Sequence, residues 1–198
     1  EESLQRLANE GRHPPFDLLG EAVLSEEESH RYRTGYLDLL ARLGRHPLAQ
    51  LRTPGGAPCL EVSLKLSSLT CQFNPADPEG TLRRVRPPLT EVCEAAQERG
   101  IGVTIDAEQY RYRELAWHIF QETMATGGPL GRWTDAGMVV QAYLRDAEEH
   151  TRQVTAFARR RGTPFRVRLV KGAYWDQEVI VAEQSGWPVP VYRDKHAT

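Results

Sequence analysis

The chain is poor in sulfur. Its 198 residues include two methionines and three cysteines, Cys59, Cys71 and Cys93. The cysteines are odd in number and show no Cys-x-x-Cys or Cys/His spacing, which argues against a disulfide framework or a zinc site. Long apolar runs are missing too: none approaches the roughly 20 residues that span a bilayer. The N-terminus lacks the charged, apolar, then small order of a signal peptide, so the chain reads as cytosolic. Excess charge is also lacking. Twenty-five basic and 27 acidic residues leave a formal net charge of −2, which speaks against a nucleic-acid footprint or a polybasic membrane surface. No GxGxxG or GxxxxGK[ST] loop follows a candidate strand, which disfavours a dinucleotide-binding open sheet and a P-loop fold. No GxSxG elbow or Cys/His pair supports nucleophilic hydrolysis. The six histidines, His13, His30, His46, His118, His150 and His196, are scattered and read as surface residues.

What is present is the alternation of short β-branched runs with amphipathic helices. Residues 1–14 read as a helix or arm ended by Gly11 and the Pro14-Pro15 pair. Phe16 to Glu21 is a weak first strand. Ser25 and Glu28 have the spacing of a capping box, and Tyr32, Tyr36, Leu39, Leu40 and Leu43 continue a helical stripe to Gly44. A second strand, Cys59 to Leu66, carries Lys65. Leu82, Val85, Leu89, Val92, Cys93 and Ala96 form the next helix, with Pro87 and Pro88 expected in its first turns or at a bend. The third strand, Gly102 to Asp106, ends on an acid with Glu108 just beyond. A helix over Leu115 to Met124 and a fourth strand, Gly137 to Tyr143, follow. The helix Ala147 to Arg161 ends on three arginines, which suit the helix dipole and read as a solvated end.

The fifth strand is the most informative segment. Val167-Arg168-Leu169-Val170-Lys171-Gly172-Ala173-Tyr174-Trp175-Asp176 reads as a buried strand that carries two cations and opens at Gly-Ala before an aromatic pair. Alternation puts Arg168 and Val170 on one face and Val167, Leu169 and Lys171 on the other, so at least one cation faces a buried side. A buried cation needs a partner, because leaving it alone costs several kcal/mol. A helix over Asp176 to Gln184 follows, with Asp176 and Glu178 as helix-start acids. Strand after strand ends on a polar group: Lys65, Asp106, Gln141, Arg168 and Lys171. One polar group from each of several parallel strands is the barrel arrangement, with the site at the C-terminal rim. Two or three cations, one carboxylate and one amide beside Tyr174 and Trp175 suit an anionic, planar, partly apolar ligand. They do not suit a divalent metal.

Five segments in order carry a family resemblance: Phe16 to Ala22, Val62 to Leu69, Thr104-Ile105-Asp106-Ala107-Glu108, Val140-Gln141-Ala142-Tyr143 and Val167 to Asp176. Together they resemble the proline dehydrogenase domain, especially the form in bacterial bifunctional proline utilisation proteins. The resemblance implies a (βα)8 TIM-like barrel, α/β in class. Residues 1–198 would be the N-terminal part of one such domain, with an arm over 1–14 and the first five βα repeats over 15–198. On that reading strands six to eight and the last helix would lie beyond these residues. That helix would supply paired arginines to the substrate carboxylate and a tyrosine over the proline ring.

The implied chemistry is oxidation of L-proline to Δ1-pyrroline-5-carboxylate by noncovalent FAD, with a quinone as electron acceptor. By matching positions, Lys65 would hold the substrate carboxylate, while Asp106 would lie in the substrate and flavin shell or serve as counter-ion to Lys65. Gln141 and Arg168 would reach the flavin, and Lys171, Gly172, Ala173 and Trp175 would bind it by side chain or backbone. Tyr174 is a substrate-pocket candidate, and Glu21 resembles a gate residue that pairs with an arginine of the last helix. The family also implies a fused or partner pyrroline-5-carboxylate dehydrogenase and at most peripheral contact with the inner membrane. Five strands would leave the first and fifth as edges around an apolar interior, so a longer protein or a second segment is expected to complete the sheet. Two rival readings are a non-catalytic half-barrel module and an unrelated barrel enzyme acting on an anionic metabolite.

Overall fold

The computed structural model describes residues 6–7, 10, 15–18 and 23–194. Most of the expected 1–14 arm, the end of the expected first strand and Glu21 therefore lie outside the described residues. Five parallel strands form one sheet in chain order: β1 Pro15–Asp17, β2 Glu61–Leu64, β3 Gly102–Ile105, β4 Ala136–Gln141 and β5 Arg166–Val170. Among the described residues five helices of three turns or more accompany them: α1 Glu26–Leu43, α2 Pro78–Glu98, α3 Arg113–Thr123, α4 Ala147–Arg161 and α5 Trp175–Ser185. Each strand pairs with the next in parallel, as the repeated strand–helix pattern requires.

Local chemistry sets the helix limits. Ser25 caps α1 by accepting from the Glu28 N–H at 3.2 Å, and Glu28 reaches back to the Leu24 N–H at 2.9 Å. Asp77 caps α2 through the Gly80 N–H at 2.9 Å, with Pro78 in the first turn. The caps each satisfy an end donor that has no partner inside the helix. This cap starts α2 earlier than the apolar stripe suggested, so Pro87 and Pro88 stand inside the helix rather than in its first turns. Gly162 ends α4 in the left-handed conformation, φ 68°, where a residue without Cβ is favoured.

The core lies between the convex face of the sheet and the helices. Val62, Leu64, Val103, Ile105, Met138 and Val140 meet Tyr36, Leu40, Val85, Leu89, Val92, Ile119, Phe120 and Phe157 there, all buried. Each such large side chain contributes about 1.5–3 kcal/mol by leaving water. The other face is concave and polar. In a flat sheet three strand spacings of about 4.8 Å separate β2 from β5, more than an arginine side chain spans. Yet Arg166 bonds Glu61 and Arg168 bonds Ser63, so the sheet is curled as a partial barrel.

Four expectations are corrected. The interior is not wholly apolar: ion pairs line it beside Val139, because β2 and β5 both turn charged residues inward. The fifth strand is not buried on both faces: Val167 and Leu169 are 46% and 70% exposed, since β5 is the edge of the sheet. Arg161 is not solvated. Its guanidinium is buried and donates to the carbonyls of Met124, Leu130 and Trp133 at 2.8 Å each and to Thr163 and Pro164. His150 is buried as well, edge-on to the Trp117 ring at 5.6 Å.

Candidate active site

The register of the strands decides which side chains share the concave face. Asp17 pairs with Ser63, Ser63 with Thr104, and Val139 with Arg168. With side chains alternating along each strand, the polar members of the inward set are Asp17, then Glu61, Ser63 and Lys65, then Thr104 and Asp106, then Gln141, then Arg166 and Arg168, with Val139 between the last two strands' polar groups. The C-terminal members of this set meet at one rim. Arg168 Nη2 donates to Asp106 Oδ1 in a close ion pair and to Ser63 Oγ at 3.0 Å. Lys65 Nζ donates to Asp17 Oδ2 at 2.9 Å and lies 3.9 Å from Asp106 Oδ2. Two cations from β2 and β5 thus flank one carboxylate from β3.

Lys65, Asp106 and Arg168, picked out from the sequence, are therefore brought together. Burial holds the Asp106 carboxyl above the ordinary carboxylate range; Asp17 adds to the rise, while Arg168 and Lys65 oppose it. The four charges of Lys65, Arg168, Asp17 and Asp106 balance. A zwitterion entering such a site adds no net charge, and its carboxylate can compete with Asp17 for Lys65.

Gln141 ends β4 and is buried, its Nε2 donating to the Glu108 carbonyl at 3.2 Å and the Tyr143 hydroxyl at 3.4 Å. Glu108 is itself fixed by Ser67, which donates its N–H at 3.2 Å and its hydroxyl at closer range. The segment Lys171 to Trp175 is the turn from β5 into α5. It is strapped to the end of β4: Ala142 N–H donates to the Val170 carbonyl at 2.8 Å and Tyr143 N–H to the Lys171 carbonyl at 2.9 Å. Gly172 has φ 132°, and a Cβ there would stand 2.5 Å from the Tyr143 ring, so only glycine lets the turn press on that ring. Lys171 and Ala173 are exposed, and Tyr174 is half-buried at the start of α5. Trp175 gives its indole N–H to the Tyr192 carbonyl at 2.9 Å and packs against the buried Tyr143, Leu144 and Val191. Among the described residues no group of three His, Cys, Asp or Glu could hold a metal ion.

Sequence reasoning missed Asp17, Ser63, Glu61 and Arg166. The signal was available for two of them: Glu61 and Ser63 are spaced by two from each other and from Lys65 along an otherwise apolar strand, so they share its face. Glu178, read as a helix-start acid, is buried and accepts the Tyr110 N–H at 2.6 Å.

The family model for proline dehydrogenase matches residues 1–198. The bifunctional protein PutA of Rhizobium meliloti is 31% identical over 188 residues, 93% of this chain and 15% of that protein. Proline dehydrogenase 1 of Bacillus subtilis is 27% identical over 178 residues, 90% of this chain and 49% of that enzyme. The crystal structure of proline utilization A from Bdellovibrio bacteriovorus, inactivated by N-propargylglycine, superposes with a TM-score of 0.90 at 37% identity. It covers 99% of this chain and 21% of that one. The chain thus spans less than half the length of each of these relatives.

Proposed function

Because the chain belongs to the proline dehydrogenase family, we propose that the protein it forms part of oxidises L-proline to Δ1-pyrroline-5-carboxylate with noncovalent FAD and passes the electrons to a quinone. One observation carries the reading: Lys65 and Arg168, from strands three places apart in the sheet, converge on Asp106. That donor set suits FAD and an amino acid together, since one cation can exchange Asp17 for a substrate carboxylate while the other faces an electron-rich ring.

In this reading Lys65 receives the proline carboxylate, drawn from its pairing with Asp17. Asp106 keeps Lys65 and Arg168 at a fixed separation, so the two ligands lie side by side. Arg168, held by Asp106 and Ser63, reaches the flavin, and a cation there favours electron gain. Gln141 and the Lys171 to Trp175 turn hold the cofactor through amide, backbone and the exposed Lys171. FAD, when bound, supplies the hydride-accepting chemistry that no side chain has. Oxidation to Δ1-pyrroline-5-carboxylate would move a hydride from proline Cδ to that acceptor and release a proton from the nitrogen to solvent. Tyr174 borders the substrate, and Glu21 acts as a gate with a residue of the longer protein. A fused or partner pyrroline-5-carboxylate dehydrogenase would take up the product. Cytoplasmic location, peripheral to the inner membrane, suits transfer to a quinone; no helix among the described residues is long and apolar enough to cross a membrane.

The test is spectroscopic. Full-length protein, purified and supplied with FAD, retains the flavin absorbance band and loses it on anaerobic addition of L-proline. Protein that takes up no FAD overturns the flavin reading. Retained flavin that proline does not bleach, while another carboxylated metabolite does, moves the substrate elsewhere.

A further inference from the structure

Glu108, two residues past Asp106 on the loop from β3 to α3, serves its two neighbours with two different groups. Its buried carboxyl faces the end of β2, where Ser67 gives its N–H to Oε1 at 3.2 Å and its hydroxyl to Oε2 in a closer bond. Its backbone carbonyl faces the end of β4 and accepts Gln141 Nε2 at 3.2 Å. Ser67 belongs to the 3-10 turn Leu66–Ser68, which starts directly after Lys65. The turn closes on Lys65, whose carbonyl accepts the Ser68 N–H at 3.1 Å and the Ser68 hydroxyl at 2.6 Å. The Ser67 N–H is an end donor that such a turn leaves for a capping oxygen. A lysine in the capping position has no side-chain oxygen to offer, so Glu108 supplies the acceptor from 41 residues along the chain. Leu66, Ser67 and Ser68 are all buried, so a Ser67 donor that lost this acceptor would not find water in its place.

We propose that the Glu108 side chain is a positioning group for Lys65, acting through Ser67, and that its backbone separately positions Gln141. This rests on the reading of Lys65 as the group that receives the proline carboxylate. Lys65 leaves the backbone at the junction of strand and turn, so the seat of the turn sets the direction in which its ammonium is offered. Without the carboxyl, the Ser67 N–H and hydroxyl are left buried and unpaired, and the turn can satisfy them only by shifting, which carries Lys65 with it. Gln141 keeps its acceptor, because truncating a side chain leaves the Glu108 carbonyl in place. One loop residue thus ties the substrate cation to the cofactor amide, each by a group that can be altered without the other.

The experiment measures proline kinetics and FAD affinity on the full-length, FAD-loaded protein. Glu108→Ala raises KM for L-proline about tenfold, the scale of a buried hydrogen bond lost, with kcat per bound flavin and FAD affinity unchanged. Glu108→Gln, whose amide can accept the Ser67 N–H and donate to its hydroxyl, restores KM to within about twofold of wild type. Ser67→Ala raises KM about threefold, and adding it to Glu108→Ala causes no further rise, since both act along one route. A purely structural role predicts a lowered urea midpoint with KM unchanged in flavin-loaded Glu108→Ala, and that result overturns the proposal. A glutamine variant as impaired as the alanine one also overturns it, because charge and not hydrogen bonding would then be the cause. Additive rises in the double variant overturn the route through Ser67, and weakened FAD affinity in Glu108→Ala overturns the division between side chain and backbone. If Glu108→Ala does not fold, Ser67→Ala carries the test, and an unchanged KM there overturns the proposal. A wild type that holds FAD but is not reduced by proline overturns the reading of Lys65 and the proposal with it.

Discussion

Asp17 on β1, rather than Asp106 on β3, is the nearer partner of Lys65: the Nζ–Oδ2 distances are 2.9 and 3.9 Å. Asp17→Asn is expected to remove the carboxylate that competes with the substrate for Lys65. The pair is partly exposed, so the effect is modest, about 1 kcal/mol or roughly a fivefold fall in KM for proline. Steady-state kinetics check it, with the flavin spectrum unaltered. An unchanged KM means that Asp17 does not compete for Lys65.

Asp106 should leave a pH signature on stability. Burial raises its carboxyl in the folded protein, so between the ordinary value of about 3.9 and the raised one the folded state binds the proton more tightly than the unfolded state. The contribution of this group is then greatest at low pH and is lost as pH rises through that window. Asp106→Asn abolishes this titration. Urea unfolding at several pH values should show the stability difference moving in favour of the variant as pH rises; a flat difference contradicts the assignment.

Gly172→Ala places a Cβ against the Tyr143 ring and forces φ 132° on a residue that resists it. The strain, about 1–3 kcal/mol, is relieved by moving the turn away from β4. Fluorimetric FAD titration should show affinity weakened by about tenfold or more, at roughly 1.4 kcal/mol per decade. Wild-type affinity would dissociate the turn from cofactor binding.

Arg161→Leu strips the carbonyls of Met124, Leu130 and Trp133 of their buried donor. The expected loss is about 3–5 kcal/mol, read as a lowered urea midpoint with the slope unchanged. Arg161→Lys recovers only part, because an ammonium cannot fan out to carbonyls on so many sides. A loss below about 1 kcal/mol, the scale of an ordinary surface change, would make this a solvated helix end after all.

The elements were legible in the sequence because their signals are local. The Ser25 cap, the stripe of α2 and the bounds of α4 come from neighbours within a few residues. Alternation on β5 likewise assigned Arg168 and Val170 to one face. Partner choice was not legible. Lys65 finds Asp17 48 residues away and Arg166 finds Glu61 105 residues away, and both choices depend on sheet register and curl. The same reason hid Arg161 and His150: a basic, amphipathic α4 gives no sign that Leu130, Trp133 or Trp117 will close over them.

The two bonds that cross the concave face, Arg166 to Glu61 and Arg168 to Ser63, also bear on how the molecule assembles. Each joins residues 105 positions apart, so neither forms before β5 has docked, and the chain must give up the entropy of a long loop first. Contacts made that late lie beyond the folding barrier. Weakening Glu61–Arg166 or Ser63–Arg168 should therefore hasten unfolding and leave the refolding rate nearly untouched, so the wiring of the site governs how long the folded barrel wall lasts rather than how fast it is reached.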